Sequence, residues 1–344
     1  MIAIAVVAAV LILVALGVVY AVRRQVSWLK RQPEFYPPEV LAKDPDGVVE
    51  FIGRPDGTQL RAVSKGTGKA TVVFAHGYGM SLREWNVIWS RLSGEGYRLI
   101  AFDHRGHGKS TVGRDGMGSA VVAADFAAVL EHFDVRDGIL VGHSLGGFLS
   151  MVFMTQHLEV VKTRLRGAVM VATFAGVILR GGPVAWPPAS TSSDLLPRAI
   201  WRETVCNALV RFLIGSGILP GLVQTPTGHA LSRGLMGTRP YYSAIDEALC
   251  SMAAHDHRRS LLGWLAPVFE DHYPRLKAIS VPCIALYGDA DNAARPWHAE
   301  RIAREIPNSR AVCVKGSGHM MNWEAPEAII EAIRGLGANP GGRA

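Results

Sequence analysis

Short apolar runs alternate with amphipathic stretches over most of the chain. Val48–Ile52 and Gln59–Ser64, separated by Arg54-Pro55-Asp56-Gly57, have the period and the turn residues of a β-hairpin. Ala70–Ala75, Arg98–Phe102, Gly138–Val141, Ala168–Ala172, Cys283–Tyr287 and Arg310–Val314 are brief apolar runs that read as buried strands. Between them the period changes to that of a helix. Arg83–Ser93 puts Trp85, Ile88, Trp89 and Leu92 on one face, and Ser119–Phe133, Phe148–Met154, Pro296–Glu305 and Glu324–Arg334 complete the set. Strands that alternate with helices predict an α/β fold, a mainly parallel sheet with helices on both faces.

Two stretches depart from this alternation. From Gly176 to Trp264 there are helical patches and turn residues but no apolar strand, and the stretch is too long for a loop. It is expected to be a helical cap (176–264) inserted in a core made of 47–175 and 265–336, with a Gly-rich flexible tail at 337–344. The other departure is at the front. Met1–Val22 carries no charge, and as a helix it would span about 33 Å, against roughly 30 Å of bilayer hydrocarbon.

Arg23, Arg24, Lys30 and Arg31 follow this segment, whereas a secretory signal carries its positive charge before the apolar run. Basic residues favour the cytoplasmic side, so 1–22 is expected to be a single-pass anchor with the catalytic domain in the cytoplasm. Export to the cell envelope is the alternative. Residues 23–46, with Pro33, Pro37, Pro38 and Pro45, read as a basic, stiff linker.

Composition changes this picture little. Of the formal net charge of +7, four positive charges lie in residues 23–31, where anionic headgroups would attract them. No later basic tract is interleaved with aromatic residues, so no nucleic-acid partner is expected. The four cysteines (Cys206, Cys250, Cys283, Cys313) have no metal-ligand spacing, and Cys283 and Cys313 fall in strands expected to be core. His255-Asp256-His257 lacks an evident third ligand and reads as a solvated helix; His229, His272 and His298 have no partner legible in the sequence. Neither a metal nor any other cofactor is implied.

The candidate chemistry centres on Gly142-His143-Ser144-Leu145-Gly146, between an apolar strand and a helix start. That context makes Ser144 a candidate nucleophile on a sharp turn, where glycines two positions before and after it relieve crowding. A serine needs a base to take its proton, and the base needs an acid to orient it. His319, in Gly316-Ser317-Gly318-His319 after the last strand, is the preferred base. Gly288-Asp289-Ala290-Asp291 supplies the acid, with Asp291 preferred and Asp289 in reserve. The backbone N–H groups of Leu145 and of Tyr78, in His76-Gly77-Tyr78-Gly79, are the expected oxyanion donors. His76 is expected to brace that loop, and His143 to pack at the elbow.

Taken together, His76-Gly77-Tyr78-Gly79, Asp103-His104-Arg105-Gly106-His107-Gly108-Lys109-Ser110, Gly142–Gly146 and Gly318-His319, in this order from Val48 to Leu336, resemble the α/β-hydrolase superfamily. The resemblance implies a chain order of serine, acid and histidine. It selects Asp291, three residues after the glycine that ends its strand, and makes the Asp103–Ser110 segment a structural turn. Relatives that open epoxides or displace halides carry an aspartate at the elbow; Ser144 implies acyl transfer instead. The function expected is a serine hydrolase of the esterase or lipase kind, cleaving carboxylic esters through an acyl-enzyme. An acyltransferase with the same triad, a carbon–carbon bond hydrolase, a perhydrolase and a non-catalytic ligand-binding member are the alternatives. The apolar run Asn207–Val223, with Trp186 and Trp201 nearby, either packs on the core or forms a hydrophobic cap over the acyl pocket; with the anchor it favours a lipophilic ester.

Overall fold

A computed structural model describes residues 2–68, 70–176, 225–254 and 270–337 of the chain. Its centre is an eight-stranded sheet of β1 (Val48–Gly53), β2 (Gln59–Lys65), β3 (Ala70–Ala75), β4 (Tyr97–Phe102), β5 (Gly138–His143), β6 (Leu165–Val171), β7 (Cys283–Gly288) and β8 (Arg310–Val314), in the order β1-β2-β4-β3-β5-β6-β7-β8. β2 pairs antiparallel with β1 and β4, and every later pairing is parallel. The C-terminal ends of β3, β5, β7 and β8 therefore open on one edge, where ligand sites of open α/β sheets form.

The alternation of side chains builds a core on each face. Val73, Ala75 and Leu140 face one layer with α4 (Ser119–His132), α5 (Leu145–Gln156), α6 (Leu158–Arg164) and α9 (Pro296–Glu305), in which Phe126, Phe148 and Phe153 are buried. Val72, Phe74, Ile139 and Val141 face the other, with α3 (Asn86–Leu92) and α11 (Pro326–Gly337). All six residues of β5 are buried, as a central parallel strand requires.

Several local differences from the sequence reading have physical causes. The helix expected over 83–93 begins as a 3-10 turn, Leu82–Trp85, entered where Ser81 Oγ accepts from the Arg83 N–H; its expected face is right, with Trp85, Ile88, Trp89 and Leu92 fully buried. The helix expected over 324–334 is split into α10 (Met321–Glu324) and α11, because Pro326 has no N–H to continue the ladder but fits a helix start. Cys313 is exposed rather than core, because β8 is the edge strand.

The front of the chain differs most. α1 (Ile2–Leu29) continues past the uncharged segment, and its last turn is docked: Leu29 is fully buried, and Gln25 Nε2 donates to the Ala230 carbonyl at 2.9 Å. Segment 32–46 is packed too, not a free spacer. Pro38 starts a short helix, α2 (Pro38–Leu41), which buries Leu41, and Asp44 pairs with Arg61, Arg83 and Lys109. Trp89 Nε1 donates to the Asp46 carbonyl at 3.1 Å. Proline stiffness was legible; the apolar and acidic side chains among the prolines decide that the segment lies on the body.

Of the stretch expected as a cap, 177–224 and 255–264 fall outside the described residues, and with them Trp186, Trp201, Cys206, Asn207–Val223 and His255-Asp256-His257. The described part is helical, with α7 (Pro226–Ser232) and α8 (Tyr242–Ala253). α8, the segment that leads into it and the end of α1 share a third apolar cluster, in which Leu29, Met236, Tyr241 and Ile245 meet Met80 and Met320.

The turn Asp103–Ser110 is fixed by a buried charge network. Arg105 binds Asp125 through Nε at 2.6 Å and Nη2 at 2.7 Å, and Asp56 through Nη1 at 2.8 Å. Replacing Arg105 with alanine leaves buried Asp56 without a cation and buried Asp125 with Arg54 alone, so urea denaturation is expected to show a loss of about 3 kcal/mol.

Candidate active site

Ser144 sits where β5 passes into α5, with φ 50° and ψ −116°, a conformation that side chains other than glycine rarely adopt. The turn is held from below: the Ser144 N–H donates to the Val171 carbonyl at 2.9 Å, and Thr173 Oγ1 donates to the Ser144 carbonyl at 2.5 Å. The flanking glycines are sterically required. A Cβ at Gly146 would lie 2.3 Å from the Ala75 carbonyl oxygen, and one at Gly142 would lie 2.7 Å from the Gly146 carbonyl oxygen.

The residues singled out from the sequence meet here. Ser144 Oγ lies 3.0 Å from His319 Nε2, and His319 Nδ1 lies 3.0 Å from Asp291 Oδ2. With Asp291 ionised, Nδ1 carries the proton, leaving Nε2 free to accept from the hydroxyl. Asp291 Oδ1 accepts from the N–H groups of Ala293 and Ala294 at 2.7 and 2.9 Å, which fixes the carboxylate. Asp289 points elsewhere: its Oδ1 accepts from the Gly316 N–H at 2.6 Å and caps the neighbouring loop. All three of Ser144, Asp291 and His319 are buried.

Leu145 opens α5, and the Gly77–Met80 turn, closed by Met80 N–H to Gly77 carbonyl at 3.2 Å, carries Tyr78 beside the elbow. A Cβ at Gly77 would lie 3.5 Å from Ser144 Cβ, so this loop runs against the serine. α8 lies over it: a Cβ at Gly79 would meet Met252 Cγ at 2.7 Å. His76 braces the loop from behind. Its Nδ1–H donates to the Gly77 carbonyl at 2.8 Å and its Nε2 accepts from the His104 N–H at 3.0 Å; burial lowers its pKa, so the ring is neutral.

Three contributors escaped the sequence reading. Glu84 Oε2 accepts from the Gly77 N–H at 2.7 Å, and its other oxygen pairs with His143 Nδ1, where simple packing of His143 was expected. Burial opposes both charges, but their pairing prevails: His143 is held above its ordinary value and Glu84 below its own. The legible signal was Glu84 itself, which lies four residues before Ile88 and eight before Leu92, on an otherwise apolar face. The third is Glu324, whose Oε2 accepts from the Gly318 N–H at 3.0 Å and the Gly237 N–H at 2.7 Å, joining the His319 loop to the segment after α7.

Among the described residues no group of three or more His, Cys, Asp and Glu side chains is placed to hold a metal ion. His229, His272 and His298 have structural partners in Asp246, Glu270 and Tyr273.

The elbow's strain can be measured apart from any activity. Ser144→Ala and Ser144→Gly lose the same hydroxyl, but only glycine relaxes at φ 50°. The glycine variant is expected to be more stable than the alanine variant by about 1 kcal/mol in chemical denaturation, strain relief less the entropy cost of glycine. Equal stabilities would show that the turn is not strained.

Known proteins bear on the same site. Residues 72–332 match the model of the Alpha/beta hydrolase family. A non-heme haloperoxidase of Rhodococcus erythropolis is 27% identical over 275 residues, covering 79% of this chain and 93% of the relative. Among solved structures, an esterase from Exiguobacterium antarcticum superposes with a TM-score of 0.66 at 21% identity, over 84% of this chain and 98% of its own. A membrane phospholipase A superposes with a TM-score of 0.63 at 18% identity, over 98% of this chain and 99% of its own. With a family match that runs from within β3 into α11 and takes in every loop of the site, this chain belongs to the alpha/beta hydrolase family.

Proposed function

We propose that the protein is a membrane-anchored serine hydrolase that cleaves lipophilic carboxylic esters through an acyl-enzyme. The observation that carries this reading is the buried hydrogen-bonded order Ser144–His319–Asp291, with both links at 3.0 Å. In the first half-reaction Ser144 Oγ bonds to the ester carbonyl carbon while its proton passes to His319 Nε2. The oxyanion that forms accepts from the N–H groups of Tyr78 and Leu145, and Asp291 stabilises the imidazolium. Collapse breaks the carbon–oxygen bond to the alcohol, which leaves with the proton from His319. Water then bonds to the acyl carbon as its proton passes to His319; the bond from that carbon to Ser144 Oγ breaks, Ser144 takes the proton back from His319, and the acid is free.

The membrane part of the proposal rests on α1. Among the described residues, Leu11–Leu29 is the one stretch long and apolar enough to cross a bilayer, and none of it is covered by the protein over its most apolar window. The structural neighbour described as a membrane phospholipase A covers nearly the whole of this chain. On this reading 1–22 is the anchor, 23–46 a packed basic strap, 47–175 and 265–336 the core, 176–264 the cap and 337–344 the tail, with the catalytic domain on the cytoplasmic side. The haloperoxidase relative favours a second reading, in which hydrogen peroxide replaces water at the acyl-enzyme and leaves as a peracid.

The test is p-nitrophenol release from esters of increasing acyl length. Turnover that favours longer chains is expected, falling on the order of a million-fold in Ser144→Ala and about ten-thousand-fold in Asp291→Asn. Unchanged turnover in Ser144→Ala would overturn the assignment. Removal of residues 2–22, which spares the docked Leu29, is expected to preserve turnover of soluble short esters and to reduce that of esters embedded in vesicles. Equal turnover of both substrates with and without the segment would remove the membrane part.

A further inference from the structure

The loops that carry the reacting groups are not joined by the sheet. β5, which carries Ser144, and β8, which precedes His319, are separated by β6 and β7. Three strand spacings of about 4.8 Å put those strand ends ~14 Å apart, so the His319 loop reaches inward across the sheet edge. The ladder supplies no bond between these loops, yet Ser144 Oγ and His319 Nε2 must keep hydrogen-bond distance.

One buried pair spans the gap. Glu84 lies in the 3-10 turn after the oxyanion loop, and His143 is the residue before Ser144. Gly77 N–H donates to Glu84 Oε2 at 2.7 Å, Glu84 Oε1 pairs with His143 Nδ1, and His143 Nε2–H donates to the backbone carbonyl of His319 at 2.8 Å. The glutamate's own carbonyl accepts from Asn322 Nδ2 and Trp323 Nε1, both at 3.1 Å, just beyond His319. Glu84 and His143 are buried to 1% and 2% exposure. An ion pair so deep is no better for stability than a well-packed apolar pair, because both charges lose their water. Its distinctive property is directed bonding to three separate loops.

The geometry points to Glu84 and His143 as a positioning pair that ties the oxyanion loop, the nucleophile turn and the backbone of His319 into one unit and so sets the distance from Ser144 to its base. This rests on the reading of Ser144 as nucleophile and His319 as base. Neither side chain bonds to the reacting atoms; both act through Gly77 and His319.

Three variants test it. Glu84→Ala removes the carboxylate's links to Gly77 and His143 and so unfastens the ring that holds His319, whereas Glu84→Gln keeps an acceptor for the Gly77 N–H and a donor for Nδ1 of a neutral His143, whose Nε2–H still reaches His319. Glu84→Met combined with His143→Phe removes the links without leaving a lone buried charge, and is read in place of Glu84→Ala if that variant does not fold. On p-nitrophenyl esters, losing the links is expected to lower kcat about 100-fold with KM nearly unchanged, the scale set by misplacement of about 1 Å. Glutamine is expected to restore most of kcat. Hydrogen exchange, independent of turnover, is expected to be faster at the Gly77 amide and in the His319 peptide when the links are absent, and at the wild-type rate with glutamine. A folded variant without the links that keeps wild-type kcat, a loss confined to KM, or no rescue by glutamine would overturn the proposal. If the wild-type protein hydrolyses no ester, the esterase reading fails, and the exchange rates alone decide: wild-type rates without the links overturn the pairing, faster rates uphold it.

Discussion

The site depends on one strained residue. Ser144 is held at φ 50° between the most buried strand and the helix that follows it, and only very close packing keeps it there. That packing explains much of the local sequence: no side chain fits at Gly142 or Gly146, because the backbone of the turn and the end of β3 occupy the space. Strain of about 1–3 kcal/mol persists only where the surroundings over-determine the backbone. Here the Val171 carbonyl, Thr173 and both glycines do so. The hydroxyl is thereby raised to the sheet edge, beside the first N–H groups of α5.

From that fixed point the other loops are brought in by different means. The His76–Gly79 loop follows β3, which pairs directly with β5, and it lies against the serine through the absence of a Cβ at Gly77. The Asp291 loop is held by its own backbone N–H groups and by Asp289, its neighbour, which caps Gly316. The His319 loop comes from the sheet edge and needs side chains to hold it: His143 and Asp291 directly, and Glu324 through Gly318. The sheet supplies coarse placement, and a small number of buried polar side chains supply the fine placement.

What the sequence disclosed follows from the range of the interactions involved. The strands were legible because each is a short apolar run between turn residues, and Ala70–Ala75, Pro296–Glu305 and Arg310–Val314 coincide with their elements. Ser144, Asp291 and His319 could be singled out because each follows a strand and their residue types fit one chemistry; the structure brings them together. The pairing of Glu84 with His143 was not legible: Glu84 stands out on an apolar face, but its partner is 59 residues away and passes alone for a packed ring. Likewise the prolines of 32–46 announced stiffness, but Asp44 meets three basic residues from distant parts of the chain. That α8 lies over Gly79 was not legible, because its contact with the His76–Gly79 loop is long-range.

The central claim is that Ser144, and no other residue, is the nucleophile. The most direct measurement is mass spectrometry of the intact protein and its peptides after treatment with a fluorophosphonate, which bonds to an activated serine with loss of fluoride. The account predicts one adduct per chain, on the peptide that contains Ser144, and none when the protein is unfolded beforehand. An adduct on a different residue, or no adduct on the folded protein, would contradict it.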